Sequence, residues 1–182
     1  PADVQAVYAR NAQTRRIPAS NLKLVTTAAA LARLGTDFKY QTKLLLRGSD
    51  LILVGDGDPT LGDSELLAGT GWDATTVFRS WAAELKTRNV TSVGRDIVDD
   101  AIFDEVFHHP QWNKDQYTQP HSAQVAGVAL NANLVSVRVR GAGNPAAVTL
   151  EPASPAVALK NSLEVGKETR VWVTRQRDDS TI

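Results

Sequence analysis

A serine and a lysine three residues apart, Ser20 and Lys23, stand at the beginning of a predicted helix. An alanine- and leucine-rich run over 24–34, stopped by Gly35, predicts that helix. Residues at this spacing share one helical face, with Cβ atoms about 5–6 Å apart, so the amine can reach the hydroxyl. A serine hydroxyl is a poor nucleophile alone, and a neighbouring uncharged amine can serve as its base. The pair therefore predicts a serine nucleophile with a lysine base.

A structural alternative exists for the same two residues. A cation in the first turn of a helix opposes the helix dipole, typically by about 0.3–1 kcal/mol, so Lys23 is poorly placed for stability. The same dipole, together with burial, would favour the uncharged form of the Lys23 amine, which is the form that a base needs. In the alternative, Ser20 caps the helix and Lys23 points into water. Because the pair consists of two common residues, the motifs around it have to decide between a catalytic pair and a helix cap.

The composition narrows the class of protein. The chain has 182 residues, enough for one or two domains with a core. Its 20 basic and 20 acidic residues balance, and with no long basic run this argues against a nucleic-acid partner. No apolar stretch reaches the roughly 18 residues of a transmembrane segment. The absence of cysteine removes disulfides and thiolate catalysis. A start at Pro1 and the lack of methionine lead us to expect a piece of something longer.

Periodicity predicts a mixture of helices and strands. A second helix is expected from an N-cap at Asp73 to Arg88, closed by Asn89. Between the strands lies a long irregular segment, 103–126, and a loop of that length is usually functional or disordered. The predicted strands are 4–8, 38–44, 51–54, 90–99, 135–140, 148–150 and 171–173.

Three further groups of residues are candidates for binding. The aspartates of the loop 55–63 suggest calcium, but the spacing is wrong for the usual calcium loop and a structural turn is favoured. His108, His109 and His121 lack the spacing of a zinc site. Asp115 lies in an aromatic-containing segment and is a candidate for the lip of a pocket that binds a cationic or polar substrate group. Its alternative is an ordinary solvated carboxylate.

The order of the motifs resembles the DacB family, the class C penicillin-binding proteins that act as D-alanyl-D-alanine carboxypeptidases and endopeptidases. The resemblance covers most of 4–140 and fades beyond Gly141. It is specific because two of its motifs are unrelated to the Ser-x-x-Lys pair. Those motifs are Gly-Asp-Pro-Thr-Leu at 57–61 and Asn-x-Asn-x-Val-Ser-Val at 131–137.

What the resemblance implies is an α+β chain with part of an α/β, penicillin-recognising, serine transpeptidase-like domain, followed by a mixed insert domain. It implies a catalytic part at 1–45 and an insert at 46–140, with 141–182 continuing the insert or starting a third subdomain. Ser20 would be acylated and Lys23 would be its base. Asp115 falls where the family places a carboxylate facing the side-chain amine of the peptide stem.

The resemblance also implies partners and a location. The substrate would be the peptidoglycan stem peptide, β-lactam antibiotics would acylate the same serine, and no metal or cofactor is implied. The protein would lie outside the cytoplasm, in the periplasm or cell wall. The family's Ser-x-Asn and Lys-Thr-Gly motifs are missing from these 182 residues, which suggests an N-terminal portion that is inactive by itself.

Two other readings stay open. A noncatalytic peptidoglycan-binding or scaffold module with the same fold would bind without being acylated. A general serine hydrolase would use Ser20 and Lys23 on esters.

Overall fold

The computed structural model describes residues 5–141, 146–176 and 179–182. The chain divides into two units, Pro1–Lys39 and Tyr40–Ile182. In the first unit, a 3-10 turn at Ala19–Asn21 leads into helix α1, Leu22–Leu34. Gly35 ends α1 with a φ of 82°, as the sequence predicts. The strand predicted over 4–8 is not formed by residues 5–8, and Val4 lies outside the described residues.

A three-stranded sheet organises the second unit. Its strands are β1, Lys43–Arg47, β2, Asp50–Val54, and β3, Arg95–Asp99, in the order β1-β2-β3. Strands β1 and β2 are antiparallel, whereas β2 and β3 are parallel. Leu45, Ile52 and Ile97 are register partners, so apolar side chains line one face across all three strands. Asp50 and Arg95 pair across the start of β2 and β3, and this contact lowers the pKa of the Asp50 carboxyl.

The strand predicted over 38–44 is wrong in position. Arg47 pairs with Asp50, so only Gly48 and Ser49 connect β1 to β2, and Gly48 takes a φ of 62° in this tight turn. The turn fixes the register, and the register places β1 on 43–47. The alternation of apolar and polar residues over 38–42 therefore does not correspond to a strand.

Helix α2, Thr76–Thr87, connects the parallel strands β2 and β3. A parallel pair needs such a crossover connection, and a helix usually supplies it. Val77, Trp81 and Leu85 are partly buried at successive helical turns, and Phe78 packs edge-on against Trp81 at 5.6 Å between ring centroids. Asn89 ends this segment with a φ of 60°, which confirms the predicted stop.

The predicted N-cap of α2 is displaced by two residues. Thr75 is the N-cap, and Asp73 lies before it. The Asp73 carboxylate accepts hydrogen bonds from the Thr75 N–H (2.8 Å) and the Thr75 hydroxyl (2.8 Å). It also forms an ion pair with Arg79 (3.0 Å). Asp73 thus secures the beginning of α2 from outside the helix.

A separate antiparallel pair follows, formed by β4, Ser136–Arg140, and β5, Ala147–Glu151. Both were predicted at nearly these positions. Strand β3 is shorter than the predicted 90–99, and residues 171–173 do not form the predicted strand. Among the residues that the structure describes, 171–173 pair with no strand, and an isolated bridge in this region joins Ala158 to Thr181 instead.

The chain after β2 meets a distant segment through backbone alone. The Gly57 N–H donates to the Gly127 carbonyl (2.8 Å), and the Gly55 N–H donates to the Asp99 carbonyl (2.9 Å). A methyl group at Gly55 would lie 2.1 Å from the Gly127 carbonyl oxygen. Only glycine at position 55 permits this approach.

Asn131 connects the same two segments through its side chain. It is 5% exposed and accepts from the Ser64 N–H (2.9 Å) while donating to the Leu134 carbonyl (2.8 Å). Its own N–H donates to the Leu61 carbonyl (2.8 Å). Asn131, Ala132 and Asn133 have φ values of 51°, 53° and 55°, in the left-handed region that asparagine tolerates better than most residues. This left-handed turn closes the loop that follows β2.

We expect Asn131→Ala to lower the free energy of unfolding by about 2–4 kcal/mol, because two buried hydrogen-bond partners are left unsatisfied. Denaturant titration of the purified chain measures the change. Asn89→Ala is the matched control, since it makes the same change at an exposed left-handed asparagine. Its cost should stay near or below about 1 kcal/mol. Equal losses in the two variants would contradict the role of the buried bonds.

The beginning of α2 should respond to acid. The Arg79 guanidinium, and after it the Thr75 hydroxyl, hold the pKa of the Asp73 carboxyl well below its usual range. A group whose folded pKa is depressed stabilises fully above its unfolded pKa of about 3.9, and the stabilisation is lost as pH falls through the folded value. We expect the protection of the Thr76 amide, which is the slowing of its exchange relative to that of an unstructured peptide at the same pH, to decrease only as pH falls below the ordinary aspartate pKa of about 3.9.

An NMR titration of the Asp73 carboxyl carbon checks the direction of the shift. Asp73→Asn, which does not titrate, should remove the acid dependence at Thr76. A midpoint at the ordinary aspartate value would refute the coupling to Arg79.

Candidate active site

The segment around Ser20 turns sharply before it becomes helical. Ala19 has a φ of 45°, in the left-handed region that residues other than glycine seldom adopt. The Asn21 N–H donates to the Pro18 carbonyl (3.0 Å), which closes the 3-10 turn containing Ser20. Asn21 and Leu22 are already in the right-handed helical region. Such backbone outliers are often found at active sites, and this one directly precedes the candidate nucleophile.

Ser20 and Lys23 occupy the predicted place at the head of α1. Ser20 lies in the turn before the helix, and Lys23 is the second residue of α1. The capping alternative is not what forms, because the N-cap residue of α1 is Asn21 and no side chain caps it. Within the described residues, the Ser20 hydroxyl is not engaged in a hydrogen bond. It is therefore available for other chemistry.

Both side chains are exposed, as is every described residue of the first unit. One 13-residue helix with irregular flanks has no second layer to pack against, so it cannot bury its own face. The burial expected to favour an uncharged amine is thus not supplied by this unit.

Asp115 lies in the second unit, on a short turn of its own. The 3-10 turn Lys114–Gln116 carries it, and the Asn113 side chain caps the turn by accepting from the Asp115 N–H (3.1 Å). The carboxylate is exposed. The sequence pattern Asn-x-Asp therefore fixes the backbone here and leaves the Asp115 side chain exposed.

Aromatic rings pack behind this turn. Tyr117 is 6% exposed and His108 is 3% exposed, with their ring centroids 5.1 Å apart. Trp112 packs edge-on against His108 at 6.0 Å. The segment 103–126, expected from the sequence to be irregular, is indeed irregular but has an interior of its own. The sequence singled out Asp115 and missed the packing of His108 against the rings on either side of it, although those aromatic residues were a signal.

Two of the histidines and two of the aspartates of 55–63 contact groups that are close to them in the sequence. His109 Nδ1 accepts from the Gln111 N–H (3.2 Å), and His121 Nε2 lies 3.3 Å from Gln116 Oε1. Asp58 accepts from the Thr60 N–H (2.8 Å), and Asp63 accepts from the Glu65 N–H (2.8 Å). Over 5–141, 146–176 and 179–182, no group of three or more such side chains is placed to hold a metal ion.

Two surface hollows lie elsewhere in the second unit. One is lined by strand residues including Arg47, Ile52 and Ile97, and the other by residues of β4, β5 and the C-terminal segment. Neither contains Ser20, Lys23 or Asp115. In the part of the chain that the structure describes, no helix is long and apolar enough to cross a membrane.

Comparison with solved structures identifies the fold. The chain is similar to penicillin-binding protein 4 from Haemophilus influenzae, with a TM-score of 0.58 and 23% identity over 79% of this chain and 32% of that one. This likeness confirms the predicted α+β class and its resemblance to the penicillin-binding fold.

Sequence comparison gives the family. The chain is 31% identical to a D-alanyl-D-alanine carboxypeptidase from Actinomadura sp. (strain R39), over 89% of this chain and 31% of that protein. Residues 2–175 match the D-Ala-D-Ala carboxypeptidase 3 (S13) family, and the chain belongs to that family. It spans about a third of the length of these two relatives.

Proposed function

We propose that this chain is part of a serine-type D-alanyl-D-alanine carboxypeptidase or endopeptidase that acts on peptidoglycan stem peptides through an acyl-enzyme. One observation carries the proposal: in a chain of the S13 family, Ser20 and Lys23 stand three residues apart where a turn becomes α1. Membership of that family favours a location outside the cytoplasm, in the periplasm or cell wall, where peptidoglycan lies.

The chemistry follows from the two side chains. The Ser20 Oγ attacks the carbonyl carbon between two D-alanines while the Lys23 amine takes the hydroxyl proton. The bond to the terminal D-alanine breaks, that residue leaves as an amine after receiving a proton, and Ser20 keeps the acyl group as an ester. Water then hydrolyses the ester. A β-lactam ring opens by the same attack, and its leaving nitrogen stays tethered to the acyl group.

The start of the helix adds an electrophilic contribution. The first N–H groups of a helical run have no partner within it, and they point toward the residues before it. We propose that the Ser20 N–H is one donor to the oxyanion that forms during attack. Such donors are worth the most where water is excluded.

Exposure of the pair sets a condition on this chemistry. Polar groups act most strongly on a developing charge where water is excluded. Because both side chains are exposed, catalysis by Ser20 and Lys23 requires further protein surface that excludes water around them. We accordingly expect the 182-residue chain alone to turn over no substrate.

We propose a division of labour along the chain. Residues 1–45 form part of the catalytic domain, 46–140 form the insert, and 141–182 continue the insert or start a third subdomain. Asp115 binds the side-chain amine of the stem peptide, as an exposed carboxylate held on a capped turn is suited to do.

The nucleophile is tested by labelling the full-length protein with a fluorescent penicillin and mapping the modified peptide. We expect the label on Ser20, none in Ser20→Ala, and acylation about 10²–10⁴-fold slower in Lys23→Met, as for loss of a general base. Ser80→Ala and Lys86→Met make the same changes at exposed positions of α2 and should label normally. Peptidoglycan binding without any label would favour the noncatalytic module, and a label on another residue would refute the assignment of Ser20.

The role of Asp115 is tested with two substrates of the full-length protein. They are Nα-acetyl-L-Lys-D-Ala-D-Ala and its Nε-acetylated form, which lacks the charged amine. We expect Asp115→Asn to lower kcat/KM for the free amine by about 5–10-fold, the worth of a hydrogen bond between charged groups in partial contact with water. The acetylated substrate should be affected little. Asp104→Asn, an exposed carboxylate on the same segment, is the control. Equal losses on both substrates would contradict amine binding.

A further inference from the structure

The segment that carries Asp115 is a loop closed at its neck. The Val125 N–H donates to the Phe107 carbonyl (3.0 Å), which joins the two ends of what we call the 107–125 loop. Next to this neck, the Asn133 Nδ2 donates to the Gln124 carbonyl (2.9 Å). The neck is thereby bonded to the left-handed turn at Asn131–Asn133. Compact loops with adjacent ends and their own packed interior are frequently functional.

His108 fills the interior of this loop just inside the neck. Its residue is 3% exposed, and its ring contacts both Tyr117, at 5.1 Å between centroids, and Trp112, at 6.0 Å. The interplanar angles of 45° and 78° are those of tilted and edge-on contacts, which aromatic rings favour over direct stacking. One buried imidazole thus joins residues on opposite sides of the capped turn.

The two rings that contact His108 flank Asp115 in the sequence. Trp112 lies three residues before Asp115, and Tyr117 lies two residues after it. Between them the turn is short and held by hydrogen bonds, since the Gln116 N–H donates to the Asn113 carbonyl (3.0 Å) and Asn113 caps Asp115. The backbone that carries Asp115 therefore lies between two rings that both contact His108.

We propose that His108 is a positioning residue for substrate selection, whose buried ring holds Trp112 and Tyr117 so that Asp115 meets the amine of the stem peptide. The inference rests on the proposed function of Asp115 and adds a residue that does not itself touch the substrate. His108 acts through the carboxylate, so its removal lowers the preference for an amine-bearing substrate. A role in overall stability alone would lower activity on both substrates alike.

The test measures the ratio of kcat/KM for Nα-acetyl-L-Lys-D-Ala-D-Ala to that for its Nε-acetylated form, in the full-length protein. We expect the ratio of the wild type to be about 5–10-fold higher than that of Asp115→Asn. The ratio of His108→Ala should be close to that of Asp115→Asn. The double variant should match Asp115→Asn, because a residue that acts through Asp115 has no effect once the carboxylate is gone. His109→Ala, with an exposed ring one position away, is the matched control and should keep the wild-type ratio.

The outcomes separate this inference from the proposed function. Penicillin labelling in each sample reports an intact reactive centre. A wild type that takes no label overturns the proposed function and the inference with it. A labelled protein in which His108→Ala keeps the wild-type ratio, or in which the two substitutions add, overturns the inference alone. Where His108→Ala fails to fold, His108→Leu fills similar volume without an aromatic face, and retention of the ratio in that variant overturns the inference equally.

Discussion

The second unit depends on bonding between two loops that are far apart in sequence. Asn131, held in a left-handed conformation, ties the chain after β2 to the chain before β4 through bonds to Leu61 and Ser64, while its bond to Leu134 holds its own turn. Close contact of Gly55 with Gly127 brings the same two loops together by backbone alone. The Gly-Asp-Pro-Thr-Leu motif lies in the first of these loops, and the Asn-x-Asn-x-Val-Ser-Val motif begins in the second and continues into β4. The bond between Leu61 and Asn131 gives the two motifs a structural role in supporting each other.

This arrangement extends to the candidate amine-binding residue. The left-handed turn continues from Asn131 to Asn133, and Asn133 bonds to the Gln124 carbonyl beside the neck of the 107–125 loop. Within that loop, the His108 ring contacts Trp112 and Tyr117, which lie on either side of the turn that contains Asp115. A continuous set of short contacts therefore runs from the loop after β2 to an exposed carboxylate. The first unit contrasts with this, because its helix has an ordered start and no packing of its own.

The sequence predicted the helices and most strands because their signals are local. The alanine-rich run and its stop at Gly35 gave α1, and Val135 to Arg140 alternated as β4 does. The failures were positional: 38–44 alternated convincingly, but the tight turn at Gly48 and Ser49 fixed β1 further on. Asp73 had the residue type of an N-cap yet bonded from two residues before the N-cap Thr75. For the site, spacing predicted Ser20 and Lys23, and the aromatic-containing segment around Asp115 made that residue a candidate, whereas the buried contact of His108 with Tyr117 depends on tertiary packing that no local pattern encodes.

The contact between Ser64 and Asn131 spans 67 residues of chain. A growing polypeptide must present all of these residues before the loop after β2 can find its partner, and contacts of high sequence separation form late because chain closure is entropically costly. The Ser64 amide can therefore gain this partner only after the chain through Asn131 has been synthesised, so the loop after β2 closes together with the later half of the second unit.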